Sequence, residues 1–309
     1  MNIITLIPVK NEEWIIGETL KNLSSFSDFI IVADQHSTDR TREICADFPK
    51  VKVIDNPANG HNNAVRWLLL DEARKIEGNN LIFCIDADEM LSPHAVEEIR
   101  RCIATQHLQP GVGFSFSWIQ LFGSVGEYRI DGAWKRNIKP IAFWDDRKMD
   151  YERTIVINDH TGRIPAVSQT YYMDKYPLLH FQAVSKERSE MKQIWYQCAE
   201  LIQNPTNARK INNKYAVANQ TRVQLAKTPT AWLLDVEPAL PPYDEEQDWH
   251  YRDIVQWFNQ YGIAFFEPLD IWHNRELCDL FIQIIGRKPR PKRYPRILVI
   301  LNKLKHALR

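Results

Sequence analysis

The first hundred residues alternate between short β-branched runs and stretches with helical spacing, and this alternation constrains the fold more than any other feature. The runs expected to form buried strands are 3–9, 29–33, 51–54 and 81–85. Helical spacing lies between them, and Gly78 supplies a natural stop before the fourth run. Strands separated by helices usually pair in parallel. The sequence therefore predicts an α/β fold with a mostly parallel sheet flanked by helices.

The pattern changes after residue 105. Short aromatic strands and loops are expected until about residue 182, and helices are expected at 185–202, 249–261 and 270–285. We predict one domain over 1–205, with a ligand-binding half at 1–105 and a second half at 106–205. A helical C-terminal region is expected over 206–309, ending in a basic tail at 287–309.

Composition excludes several classes of protein. The 39 Lys and Arg residues balance 39 Asp and Glu residues, which argues against a protein that coats nucleic acid. Five widely spaced cysteines favour free thiols in a reducing compartment. Neither a signal peptide nor an apolar run of about 18 residues is apparent. We expect a cytoplasmic protein with no nucleic-acid partner.

Three polar clusters follow the predicted strands, at 10–12, 34–36 and 86–88. Ligands of open α/β sheets bind beyond the carboxyl ends of the strands, so these clusters are candidate site residues. Asp86 and Asp88 carry the sharpest signal, because two carboxylates after a buried strand suit Mg²⁺ or Mn²⁺. The alternative is an acidic loop that caps the next helix.

The motifs in combination are more specific. Val9-Lys10-Asn11-Glu12-Glu13 opens the series, Asp34 follows the second strand, Asn59-Gly60 comes next, and Asp86-Ala87-Asp88-Glu89 closes it. Their order and spacing over about residues 1–105 resemble the family 2 glycosyltransferases, in particular a bacterial branch. The sequence departs from the commoner pattern of that family at Gln35-His36.

The resemblance implies a GT-A fold, a nucleotide-sugar donor and a divalent cation, Mn²⁺ or Mg²⁺, bound at a DxD motif. Asp34 would accept a hydrogen bond from the base, Asp86 would lie near the ribose and the metal, and Asp88 would bind the metal. The other residues expected to line the donor are Pro8, Lys10 and Glu12.

Three further assignments depend on the same resemblance. Arg66 approaches the diphosphate or is a solvated helix residue, and His180 completes the metal site or is structural. Asp159 is the first choice for the general base that an inverting transferase needs. Its rivals are Asp146, Asp150 and Glu152. Trp118, Trp134 and Trp144 lie in the half expected to receive the acceptor, although most tryptophans serve as packing residues.

The basic tail contains nine Lys or Arg residues and no acid. Its apolar residues recur at helical spacing, which suits peripheral contact with an anionic membrane or docking on its own domain. The leading hypothesis is an inverting, metal-dependent transferase that uses a UDP-sugar and acts on a cell-envelope glycan, a glycolipid or a protein. The alternatives are a sugar nucleotidyltransferase and a non-catalytic subunit that binds nucleotide sugars.

Overall fold

The computed structural model describes residues 1–58, 63–154, 162–216, 223–233, 238 and 240–292. The chain folds into two compact units. An α/β unit comprises Met1–Val184 with Gln224–Pro242, and a helical unit comprises Ser185–Val223 with Tyr243–Arg309.

The α/β unit contains ten strands and four helices within its described residues. The strands are β1 Asn2–Val9, β2 Phe29–Asp34, β3 Val51–Asp55, β4 Asn80–Cys84, β5 Glu89–Leu91, β6 Val112–Gln120, β7 Glu127–Arg129, β8 Ile138–Trp144, β9 Gln169–His180 and β10 Leu225–Lys227. The helices are α1 Ile16–Ser24, α2 Thr41–Ala46, α3 Ala64–Ala73 and α4 Ala95–Thr105.

Eight strands form one sheet in the order β3-β2-β1-β4-β8-β6-β9-β5. The first four strands in that order are parallel, as is the pair β6–β9, whereas β8 and β5 run antiparallel to their neighbours. This arrangement confirms the predicted α/β fold with a mostly parallel sheet. A separate two-stranded antiparallel sheet pairs β7 with β10.

Alternating side chains of β1 explain why both faces of the sheet are covered. Ile3 and Ile7 belong to a core shared with α1, α2 and α4, whereas Ile4 and Leu6 join a second core with α3. A strand buried on both faces reads as a continuous apolar run, which is the pattern that predicted it.

The helical unit contains α5 Lys186–Gln203, α6 Ala208–Tyr215, α7 Trp249–Tyr261 and α8 Arg275–Ile285 among its described residues. The side chain of Ser185 caps α5 by accepting a hydrogen bond from Arg188 N, as the sequence predicts. Helix α8 begins five residues later than expected, because Asn274 caps it through Leu277 N. The core of the helical unit includes Ile194, Ile254 and Phe281.

The division of the chain differs from the boundary expected near residue 205. Helix α5 packs on α6 and α7, which places it in the helical unit, and residues 224–242 return to the α/β unit through β10. Helical periodicity marks α5 but carries no information about its packing partners. No helix among the described residues has the length and hydropathy needed to cross a bilayer.

Candidate active site

The loops that follow β1 and β2 are joined at the carboxyl edge of the sheet. Asn11 N donates to Ser37 Oγ at 2.8 Å, and Thr38 N donates to Asn11 Oδ1 at 2.7 Å. Ser37 does not cap α2, which begins only at Thr41, because the Ser37 hydroxyl accepts the hydrogen bond from Asn11 N. The two loops therefore hold the ends of β1 and β2 side by side.

Asp34 ends β2 and is fully buried. Its Oδ2 accepts hydrogen bonds from Arg42 Nη1 at 2.9 Å and from Ser37 N at 3.3 Å. Its Oδ1 is buried and accepts none from the described residues. An unsatisfied buried acceptor is costly, so this oxygen is suited to an N–H group of a ligand.

The other residues predicted to bind the nucleotide sugar lie at or just after the end of β1, which pairs with the end of β2. Pro8 pairs with Ala33 in the sheet, and Lys10 is half-buried directly after β1. Glu12 Oε2 accepts a hydrogen bond from Trp14 Nε1 at 2.6 Å, which orients Trp14 before α1. That Pro8, Lys10 and Glu12 bind the nucleotide sugar stays a prediction.

Asp86 follows β4 and is bound by two arginines. Arg66 Nη2 of α3 lies 2.8 Å from Asp86 Oδ1, and Arg163 Nη2 lies 2.5 Å from Asp86 Oδ2. Burial alone would raise the pKa of Asp86, but the charges of Arg163 and Arg66 outweigh it and lower that pKa. Both carboxylate oxygens therefore face arginines, and Arg66 is not a solvated helix residue.

Glu89 follows Asp88 and accepts hydrogen bonds from several of the side chains and backbone groups around Asp86. No role was predicted for it from the sequence. It is fully buried, and its carboxylate accepts both Arg163 Nη1 at 2.6 Å and Arg163 Nη2 at 2.8 Å. It also accepts Trp118 Nε1 at 2.6 Å and Asp86 N at 3.1 Å. Burial alone would lower the pKa of the Arg163 guanidinium. The negative charges of Asp86 and Glu89 outweigh this effect and raise that pKa.

Asp88 and His180 are brought together by the pairing of β5 with β9. Glu89 pairs with His180, and Phe181 N donates to Asp88 O at 2.9 Å. As a result, His180 Nε2 lies 3.2 Å from Asp88 Oδ2, and both side chains are largely buried. The structure thus brings together two residues that are far apart in the sequence and that were both predicted for the metal site.

The pair fits a divalent cation. A carboxylate oxygen and an imidazole nitrogen are ligands that Mn²⁺ accepts, and here they face each other. No cluster of three His, Cys, Asp or Glu suited to a metal occurs among the described residues. A cation held here would therefore take its other ligands from substrate phosphate and water.

Aromatic rings line the neighbouring part of β6. The Trp118 ring lies 4.4 Å from that of His180 and 5.6 Å from that of Trp134 between centroids. Lys139 Nζ lies 3.7 Å from the centre of the Trp118 ring, and burial together with Arg163 lowers the pKa of Lys139. Trp144 lies elsewhere, because it pairs with Leu81 near the opposite end of β4.

Asp159, the predicted general base, lies outside the described residues. Two of its rivals make local contacts. Asp146 accepts hydrogen bonds from Met149 N and Lys148 N, which lower the pKa of its carboxyl group. Asp150 pairs with Arg153 at 3.2 Å, and Glu152 is exposed. The assignment of the general base to Asp159 therefore stays a prediction.

Part of the chain is similar to known proteins. The family model described as Glycosyl transferase family 2 matches residues 5–108. A curated protein of Rickettsia bellii, described as an uncharacterized glycosyltransferase, is 25% identical over 221 residues, which cover 67% of this chain and 71% of that protein.

Solved structures are more distant. S. aureus TarS has a TM-score of 0.41 and 16% identity, and the match covers 70% of this chain and 43% of TarS. A shorter TarS structure, residues 1–349, has a TM-score of 0.41 and 14% identity, with 86% and 80% covered. Glucosyl-3-phosphoglycerate synthase from Mycobacterium tuberculosis has a TM-score of 0.29 and 19% identity, with 40% and 45% covered.

The matched region, residues 5–108, contains the strands that carry Asp34, Asp86 and Asp88. It coincides with the region whose motifs resemble that family, and it favours a glycosyltransferase over a nucleotidyltransferase. Residues 5–108 of the chain thus match the family 2 glycosyltransferases.

Proposed function

We propose that this enzyme transfers a sugar from a nucleotide-sugar donor to an acceptor hydroxyl with the help of Mn²⁺ or Mg²⁺. The observation that carries the proposal is the Asp88–His180 pair, buried beside Asp86 at the edge where β4 ends. Ligand-binding residues of α/β sheets collect at this edge, so a donor bound there would place its diphosphate near the pair.

Each end of the donor has candidate partners. The buried Asp34 Oδ1 suits the imino N–H of a uracil ring, which supports a UDP-sugar. Arg66 and Arg163 bring positive charge to the same edge through Asp86. Asp88 and His180 would hold the cation, which when bound would offset negative charge on the departing diphosphate.

The transfer itself needs an acceptor positioned for attack. In an inverting reaction the acceptor oxygen forms a bond to the anomeric carbon as the bond to the diphosphate oxygen breaks. The proton of the hydroxyl passes to a carboxylate, for which we propose Asp159. Trp134 is half-buried and stacks on the buried Trp118, so its ring is the one suited to stacking on a sugar. The proposed acceptor is therefore a cell-envelope glycan, a glycolipid or a protein.

Thermal unfolding in a panel of nucleotide sugars tests this proposal. At about 100 times its Kd, the correct donor with Mn²⁺ should raise Tm by about 5 °C. UDP-sugars should stabilise more than GDP-sugars, and EDTA should remove most of the shift. The proposal fails if no nucleotide sugar stabilises the protein in the presence of Mn²⁺ or Mg²⁺.

The proposed base gives a separate prediction. Asp159→Asn should lower kcat by about 10²-fold or more, because the variant cannot accept the proton of the acceptor, while donor affinity changes little. Single-turnover transfer and donor titration measure the two quantities. Glu152→Gln is the matched control, and a large loss in that variant with normal turnover by Asp159→Asn would transfer the role to Glu152.

Residues 293–309 are proposed to contact an anionic membrane from the cytoplasmic side. The sequence predicted this role for residues 287–309, and we propose the shorter segment because residues 287–292 contact the helical unit. Arg287 pairs with Glu267, Lys292 N donates to Pro268 O at 2.9 Å, and Asn212 Nδ2 donates to Lys292 O at 2.9 Å. The remaining seventeen residues contain five Lys or Arg and no acid.

Vesicle sedimentation tests the membrane contact. A chain ending at Lys292 keeps the contacts with Glu267 and Asn212, so it should fold and bind donor but stay in the supernatant. The full chain should pellet with phosphatidylglycerol vesicles and be released by salt, since each basic residue contributes about 1 kcal/mol before screening. Equal recovery of both proteins would rule out a membrane role for this segment.

A further inference from the structure

Gln120 ends β6 and is almost fully buried beside His180. Its Nε2 donates to Leu121 O at 3.1 Å and to His180 O at 3.4 Å. Carbonyl oxygens only accept hydrogen bonds, so the amide nitrogen of Gln120 must be the atom that faces them. The orientation of the side-chain amide is thereby fixed, and its Oε1 is directed to the His180 ring.

This orientation determines the tautomer of His180. His180 Nδ1 lies 2.7 Å from Gln120 Oε1, which has no hydrogen to donate. Nδ1 must therefore carry the hydrogen, and in the neutral ring the lone pair is on Nε2. Nε2 is the atom that lies 3.2 Å from Asp88 Oδ2. In the neutral ring, Nε2 and Asp88 Oδ2 can therefore both offer a lone pair to a cation that lies between them.

We propose that Gln120 is a positioning residue that keeps the Nε2 lone pair of His180 directed at the cation held with Asp88. The inference rests on the proposed function. Residues that hydrogen-bond the second nitrogen of a ligating histidine fix its tautomer and orientation, and their loss typically lowers metal affinity 10- to 100-fold. The Trp118 ring at 4.4 Å packs on the imidazole and limits its rotation.

The first test observes the tautomer without any metal. Protein labelled with ¹⁵N-histidine is examined by NMR at neutral pH in EDTA, and His180→Asn identifies the signal. The proposal expects a hydrogen on Nδ1 in the wild type. A neutral ring with its hydrogen on Nε2 would overturn it.

The second test measures binding of Mn²⁺ alone through the EPR signal of the free ion. Gln120→Leu removes the acceptor for Nδ1 and should weaken Mn²⁺ binding about 10- to 100-fold. Gln120→Glu keeps an acceptor for Nδ1 but loses both donors to the carbonyls, so it should bind Mn²⁺ within about threefold of the wild type. If the role of Gln120 were purely structural, Gln120→Glu would weaken Mn²⁺ binding at least as much as Gln120→Leu does.

A matched control separates this effect from general loss of packing. Gln197 is a similarly buried glutamine in α5 of the helical unit, and its Nε2 donates to Gln193 O at 3.3 Å. Gln197→Leu should leave Mn²⁺ affinity unchanged even if Tm falls. Equal Mn²⁺ affinity of wild type and Gln120→Leu would overturn the positioning role alone. Failure of the wild type to bind Mn²⁺ would overturn both the proposed cation dependence and this inference.

Discussion

Asp88→Asn is expected to lower kcat/KM for sugar transfer by about 10³-fold, because the ion that it helps to hold stabilises the transition state by several kcal/mol. Asparagine is nearly isosteric with aspartate, and β5 and β9 remain paired by their backbones. The variant should therefore fold, bind Mn²⁺ weakly and lose the stabilisation that Mn²⁺ gives to the donor complex.

The measurement combines steady-state transfer kinetics with an Mn²⁺ titration. Asp174→Asn serves as the control, since Asp174 lies on β9, the strand that ends at His180, but is exposed. Its kinetics should match the wild type. Wild-type turnover by Asp88→Asn, or full activity of the wild type after removal of metal by EDTA, would contradict the assignment of Asp88 as a metal ligand.

Local sequence patterns were sufficient for the first part of the fold. Strands β1 and β4 are buried on both faces and read as continuous apolar runs. The helix before β4 ends at Ala73, earlier than the stop predicted at Gly78. The order of strands beyond β4 was not predictable in this way. Strands β6, β8 and β9 pair across long separations in a mixture of parallel and antiparallel registers, which depends on tertiary packing.

The candidate site shows the same contrast. Asp34, Asp86 and Asp88 follow strands directly, so their place at the sheet edge could be predicted from the pattern alone. Arg163 has no such signal, because it lies in an irregular segment and reaches Asp86 only through the fold. The one available hint was Glu89, since an acid next to an apolar strand end needs a cation once it is buried.

Gln120 illustrates a further limit. Glutamine in a strand has many harmless explanations, and its role depends on the parallel register that places it beside His180. The proposed role depends on the carbonyl groups of Leu121 and His180, which orient the side-chain amide of Gln120. Nothing in the sequence indicates these contacts.

The charges around Asp86 explain how three acids can lie together before any ligand binds. The cluster contains three acids, Asp86, Asp88 and Glu89, and three bases, Arg66, Lys139 and Arg163. The three positive charges offset the three negative ones, so the carboxylates are not left uncompensated in a region of low dielectric constant. Arg163 contributes most directly, because it bonds both Asp86 and Glu89 and is largely buried.

Arg163→Met should therefore lower the free energy of unfolding by about 3–5 kcal/mol at neutral pH, the usual cost of leaving a buried charge without its partner. Glu89→Gln combined with Arg163→Met should be less destabilised than the single variant, with a coupling energy of about 1–3 kcal/mol. Urea unfolding followed by circular dichroism measures both quantities. Arg153→Met is the control, because Arg153 also pairs with two acids but is exposed, and it should change stability by less than about 1 kcal/mol.

The pH dependence supplies the decisive comparison. In the wild type, the pKa of Asp86 is lower in the folded protein than in the unfolded chain, so this stabilisation is present above about pH 4 and is lost on acidification. In Arg163→Met, the charge that does most to lower the pKa of Asp86 is gone, so the variant loses less stability than the wild type on acidification. The difference in free energy of unfolding between the two proteins should therefore be largest at neutral pH and should narrow below about pH 4. A difference that stays constant below about pH 4 would show that Arg163 acts through packing, because a loss of packing does not depend on the protonation of Asp86.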